Sequence, residues 1–177
     1  MIKVAINGYG RIGRIAHRVI LKSHSDALDV VAINAGGSTD LEGWMYLLKY
    51  DSVYGPLDQE VSVKEATDGS IKELLGYLVL GAKEIPVYSQ KDPLLLPWGK
   101  LGVDVVIEST GHFTKTEDLK KHLTAGAKKV ILSAPLEDDQ AKTIVLGVNT
   151  DMYGQEEIVS NASCTTNCIA PVAKIIH

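Results

Sequence analysis

Two stretches of this sequence carry residue types and spacings that could do chemistry. The first is Ser160-Asn161-Ala162-Ser163-Cys164-Thr165-Thr166-Asn167-Cys168, a run of small polar residues that places a thiol where a helix begins. A helix start favours the thiolate, the nucleophilic form of a cysteine, so Cys164 is a candidate nucleophile. Cys168 follows four residues later, one turn along the same helix face. It is expected to be a small buried apolar residue, with trapping of an oxidised Cys164 as the alternative.

The second stretch is Asn7-Gly8-Tyr9-Gly10-Arg11-Ile12-Gly13, a Gly-x-Gly-x-x-Gly between an apolar run and an amphipathic one. Gly8 would permit the tight turn, Gly10 the approach of a pyrophosphate to bare backbone, and Gly13 close packing of helix on strand. The N–H groups of Arg11 and Ile12 would then face the phosphates along the helix dipole. Any strand-to-helix turn may use glycine, but here strand, helix and second strand all flank the pattern, which is the dinucleotide-binding context. The acid that usually ends the second strand and holds the adenine ribose is missing; the sequence there reads Asn34-Ala35-Gly36-Gly37-Ser38-Thr39. Asn34 could bond a ribose, and nothing there repels a 2′-phosphate. Both NAD and NADP stay open as the cofactor, with Ala35 leaning slightly toward NADP.

These residues need elements to hold them. Short β-branched runs recur at Ile2 to Ile6, Val30 to Ile33, Val103 to Ile107, Val130 to Leu132 and Thr143 to Leu146, the pattern of strands buried on both faces. Between the first two, Arg11 to Lys22 repeats Ile12, Ile15, Ala16, Val19 and Ile20 at helical steps, which predicts their side as the inward face. The result is a right-handed βαβ unit with parallel strands. Glu60 to Val63, Tyr77 to Leu80 and Ile85 to Tyr88, punctuated by Asp68-Gly69 and Gly81, predict an antiparallel excursion at the sheet edge. A helix over Lys115 to Ala125 would turn Leu119 and Leu123 inward and its charges to solvent. From Ser163 a last helix is still running at His177, which suggests the start of a further domain.

Composition bounds the rest. The 177 residues, 45% apolar and 23% charged, suit one α/β domain or one plus the start of another. A net charge of −4 argues against nucleic acid or an anionic membrane as partner. Two cysteines make no disulfide framework, no metal-ligating cluster is spaced in the chain, and no leader or spanning stretch is apparent, so a cytoplasmic protein is expected.

The strings Asn-Gly-Tyr-Gly-Arg-Ile-Gly-Arg (7 to 14), Leu-Lys-Tyr-Asp-Ser (48 to 52), Glu-Ser-Thr-Gly (108 to 111), Ala-Gly-Ala-Lys-Lys-Val-Ile (125 to 131) and Ala-Ser-Cys-Thr-Thr-Asn-Cys (162 to 168) resemble phosphorylating glyceraldehyde-3-phosphate dehydrogenase of the bacterial and eukaryotic type. The resemblance runs along the whole chain. It implies a doubly wound Rossmann domain over 1–162, mainly parallel with the antiparallel edge, then a catalytic domain of which 163–177 is only the first helix. It implies a glycolytic homotetramer using an aldehyde phosphate and inorganic phosphate. Cys164 matches the nucleophile that forms a hemithioacetal; hydride then leaves to the nicotinamide and phosphate attacks the thioester. The N–H at Cys164 would help hold the oxyanion, and Ser163 and Thr165 match substrate and phosphate contacts. Arg11 and Ile12 match the pyrophosphate turn, Lys91 a basic residue near the adenine, Thr110 and Gly111 the loop under the cofactor, and Ser133 a further cofactor contact. Ala35 stands where NAD-specific members usually carry Asp, as in NADP-using ones. The 58–89 excursion is longer than usual. The family's histidine base lies beyond the cysteine and is not in this chain; His177, thirteen residues along the same helix, would sit about 20 Å from the thiol. The alternatives are an erythrose-4-phosphate dehydrogenase-like enzyme, a dinucleotide-binding fragment without catalysis, and a non-catalytic interaction protein.

Overall fold

The computed structural model describes residues 1–66 and 73–177. The expected turn at Asp68-Gly69 lies outside the described residues. In chain order the elements are β1 (Ile2–Asn7), α1 (Arg11–Ser23), β2 (Leu28–Asn34), α2 (Leu41–Lys49), a two-strand ribbon of β3 (Tyr50–Asp51) and β4 (Gly55–Pro56), β5 (Val61–Glu65), β6 (Leu74–Leu80) and β7 (Lys83–Tyr88). There follow α3 (Trp98–Leu101), β8 (Val105–Glu108), α4 (Thr116–Thr124), β9 (Lys129–Leu132), β10 (Lys142–Thr143), β11 (Ile158–Ser160) and α5 (Cys164–Ile176).

One sheet runs β10-β11-β9-β8-β1-β2-β7-β6-β5. Its pairs are parallel from β10 to β7 and antiparallel only at β7-β6-β5, so the edge excursion is an extension of the doubly wound Rossmann sheet. The order reverses around β1, which lies between β2 and β8; such a switch opens a crevice beyond the strands' carboxyl ends. Val4, Ile6, Val30 and Ile33 join Leu48 and Trp44 of α2 in the core on one side. Ala5, Ala32 and Val106 meet Trp98, Val103 and Ala127 on the other.

Three expectations need correction. The inward face of α1 is Gly13, His17, Arg18 and Ile20, while Ile12 and Val19 stand 55% and 47% exposed. The helix is rotated because Gly13 lies against the β1 turn and His17 bonds Tyr9, and both demands outrank the aliphatic stripe. The strand expected over Thr143 to Leu146 ends at Thr143; Val145 then accepts from the N–H groups of Val148 and Asn149, which closes a turn. Cys168 is exposed rather than buried, since no other element covers its side of α5 among the described residues.

Candidate functional site

A cavity of about 500 Å³ opens at the carboxyl ends of β1, β2, β7 and β8. Gly8, Gly10, Asn34, Ala35, Lys91 and Thr110 line it, as the sequence led one to expect of a dinucleotide site. Arg11, Ile12 and Gly13 form the adjoining first turn of α1 without lining the cavity, and neither Gly111 nor Ser133 lines it. Ser133 instead follows β9 and donates its N–H to Glu108 O at 2.9 Å.

The glycines divide by cause. Gly8 has φ +91°, and a Cβ there would come within 2.5–2.7 Å of the Ser109–Thr110 backbone. Gly13 sits beneath the same turn, where a Cβ would overlap Gly8 O and come 2.9 Å from Ile6 Cγ2. Gly10 is different: among the described residues a Cβ would meet nothing within 4 Å, so no contact with them requires glycine there. What the missing side chain leaves is bare backbone at the cavity wall and at the N-terminus of a 13-residue helix that has no acidic residue in its first turn. None of the described lining residues is a carboxylate, and Lys91 adds a cation. That donor set fits a phosphate-bearing ligand.

Asn34 lines the cavity but its amide is committed to the protein. Its Nδ2 donates to Asn7 Oδ1 (2.7 Å) and Gln90 O (2.8 Å), and its Oδ1 accepts from Gln90 N (2.8 Å). It holds loops together, and with both amide hydrogens spent on protein acceptors it has none left to donate to a ribose. Sequence reasoning passed over Asn7, Trp44, Gln90, Ser109, His112 and Phe113 as lining residues. The available signal was register, because Asn7 pairs laterally with Asn34 and with Glu108 at the ends of three parallel strands.

Cys164 begins α5 and is exposed. Ser163 caps that helix, its Oγ accepting from Thr166 N at 3.0 Å and lying 2.9 Å from Thr165 Oγ1. The turn from β11 into α5 runs through Ala162, whose φ of +59° is unusual for a residue with a Cβ and directs the chain so that Cys164 opens the helix. Ser163, Cys164 and Thr165 lie together but do not line the cavity. No histidine is bonded to Cys164, and no group of residues that could hold a metal occurs, among the described residues.

Comparison with known proteins bears on both sites. Residues 2–116 match the model described as "Glyceraldehyde 3-phosphate dehydrogenase, NAD binding domain". The chain belongs to the glyceraldehyde-3-phosphate dehydrogenase family. Glyceraldehyde-3-phosphate dehydrogenase of Geobacillus stearothermophilus is 52% identical over 178 residues, covering 99% of this chain and 49% of that protein. Glyceraldehyde-3-phosphate dehydrogenase 1 of Bacillus subtilis (strain 168) is 50% identical over 99% of this chain, and that of Kluyveromyces lactis 50% over 100%, each aligned over 49% of its own length. The chain thus spans about half the length of the curated relatives it matches. Among the described residues no helix is long and apolar enough to cross a membrane.

Proposed function

We propose that this chain is the cofactor-binding part and nucleophile-bearing helix of a phosphorylating glyceraldehyde-3-phosphate dehydrogenase. The observation that carries the reading is the pairing of a family-matched, carboxylate-free cavity under a glycine turn with a cysteine at a capped helix start. The division falls at Ala162, with 1–162 the dinucleotide domain and 163–177 the opening of the catalytic one. Bound there, the cofactor would supply a hydride acceptor. The first turn of α1 and Lys91 would hold its phosphates, and the Gly8 turn would set its depth. Cys164 Sγ would add to the aldehyde carbon to give a hemithioacetal, and the N–H of Cys164, with no partner inside its helix, would face the oxyanion. The acyl group left on sulfur passes to inorganic phosphate, next to Ser163 and Thr165. Family membership also supports a cytoplasmic homotetramer as the working assembly.

Catalysis needs a base, and none adjoins Cys164 among the described residues. Removing a general base costs about 10²- to 10⁴-fold. The purified 177-residue chain is therefore expected to bind NAD(P) by calorimetry, yet to produce no steady NAD(P)H with an aldehyde phosphate and phosphate. Sustained turnover overturns this division of labour, and absence of binding overturns the reading itself.

For the cofactor, we infer that NADP is accepted. Ala35 is buried with Gly36 (φ +73°) and Gly37 beside it, Ser38 offers a hydroxyl, and Lys91 lines the same cavity. Ala35→Asp would set a carboxylate against a 2′-phosphate, and NADP affinity is expected to fall about 10-fold or more while NAD is held or improved. Parallel titrations decide it; an unsubstituted chain that clearly prefers NAD removes the NADP reading.

A further inference from the structure

A buried polar chain runs beneath the cavity floor, and its proton positions can be worked out from its two ends. Trp98 Nε1 lies 3.0 Å from His122 Nδ1. An indole N–H can only donate, so Nδ1 accepts and the His122 proton sits on Nε2 of a neutral ring. That Nε2–H donates to Glu108 Oε2 at 3.0 Å, a hydrogen bond rather than an ion pair. From the other end, the backbone N–H of Gln90 must donate, which makes its partner on Asn34 the oxygen and leaves Nδ2 to donate to Asn7 Oδ1 at 2.7 Å. Asn7 Nδ2 then donates to Glu108 Oε2 at 2.5 Å. The 3.4 Å between Asn7 Nδ2 and His122 Nε2 is the gap between two donors on one oxygen.

Glu108 Oε1 takes two more donors, Thr110 N at 2.7 Å and Thr110 Oγ1 at 2.5 Å. Thr110 Oγ1 in turn accepts from His112 N at 3.1 Å, so its own proton goes to Glu108. Four donors converge on a carboxylate with 0% exposure, and Asn7, Trp98 and His122 are equally buried. All four donors suit the acceptor-only, ionised form of the carboxylate, and no Lys or Arg is paired with it among the described residues. An ionised group so placed is costly unless every donor is held in position. Only one end of the chain meets the cavity: Thr110, Asn7 and Asn34 line it, whereas Glu108, His122 and Trp98 do not.

We propose that Glu108, fixed by the Nε2–H form of His122, is the positioning residue that presets the Thr110 loop and the Asn7–Asn34 floor for the dinucleotide. This rests on the reading that the cavity takes NAD(P). Because the loop is held before the ligand arrives, little ordering remains to oppose binding.

The test uses the whole chain, His122→Phe and His122→Gln; glutamine can still donate to Glu108 and phenylalanine cannot. Imidazole nitrogen shifts of the unsubstituted chain are expected to show His122 as neutral with the proton on Nε2, and an Nδ1–H or doubly protonated ring at neutral pH overturns the proposal. In His122→Phe, hydrogen exchange at the Thr110 amide is expected to quicken at least about 10-fold and NAD affinity to fall about 10-fold, with His122→Gln recovering most of both. A His122→Phe chain that loses thermal stability but keeps Thr110 protection and NAD affinity makes the network merely structural, and the proposal falls. If the unsubstituted chain does not bind NAD, the cofactor reading fails and takes the positioning role with it; if only the substitution is without effect on binding, the positioning role fails alone.

Discussion

Gly13→Ala is expected to destabilise the chain by about 2–4 kcal/mol and to remove measurable NAD binding. Alanine is the better helix former by about 1 kcal/mol, so the helix itself would gain. The clash decides the sign. The new Cβ would overlap Gly8 O and lie 2.9 Å from Ile6 Cγ2 and Ser109 Oγ. Gly8 O is backbone of the turn, and Ser109 Oγ is tied to it by its one proton, which lies between Gly8 O at 2.7 Å and Asn7 O at 3.1 Å. Neither can swing aside, so α1 must lift off β1, and its N-terminal amides leave the cavity rim.

Gly10→Ala separates stability from binding. Gly10 has φ −67°, open to any residue, and its Cβ would enter empty space. Unfolding in urea is expected to change by less than about 0.5 kcal/mol, while NAD affinity drops 10-fold or more, because the methyl takes room the pyrophosphate needs. A Gly13→Ala chain that unfolds at the unsubstituted midpoint, or a Gly10→Ala chain that still binds NAD equally well, contradicts this division between packing glycine and ligand glycine.

The glycine turn was legible because its information is local: strand, turn and helix start occupy residues 2–23. The cysteine was legible for the same reason, since Ser163 caps the helix three residues ahead of its partner Thr166. What could not be read depends on residues brought together from far apart. His122 lies fourteen positions past Glu108 on a helix whose apolar face gave no sign that an imidazole belonged inside. Asn34 has the residue type of a ribose ligand, and only the arrival of Asn7 and Gln90 shows that both its amide hydrogens are spent within the protein. On α1 the periodicity was real but only part of it faces inward: Ile20 is buried, whereas Ile12 and Val19 are exposed. Hydropathy ranks Ile12 and Val19 above Gly13 and His17, whereas the fold ranks backbone approach and the Tyr9 bond higher.

That Tyr9–His17 pair should make the chain acid-labile well above the pH where its carboxylates matter. His17 Nδ1 lies 2.6 Å from Tyr9 Oη, both side chains are fully buried, and His17 Nε2 has no partner among the described residues. Burial, with a smaller push from the Lys83 charge, lowers the His17 pKa from 6.5 to about 3. As pH falls through 6.5 the unfolded chain takes a proton that the native chain refuses until about 3. The unfolded state therefore binds more protons across that window, and stability drops by about 1.4 kcal/mol per pH unit, reaching about 2 kcal/mol at pH 5. The depressed carboxylates, Asp51, Asp104, Asp138 and Glu156, begin to lose stability only as pH nears their ordinary values of 3.8–4.5, so the two limbs separate. His17→Leu alone would strand the Tyr9 hydroxyl at a cost of about 1–3 kcal/mol, whereas His17→Leu with Tyr9→Phe removes both polar partners and should be close to neutral at pH 7. Urea midpoints at pH 7, 6 and 5 are expected to slide more steeply for the unsubstituted chain than for the double variant. Equal slopes in the two would place the proton uptake elsewhere, and a neutral His17 could then no longer be the reason that α1 turns this face, rather than Ile12 and Val19, toward Tyr9.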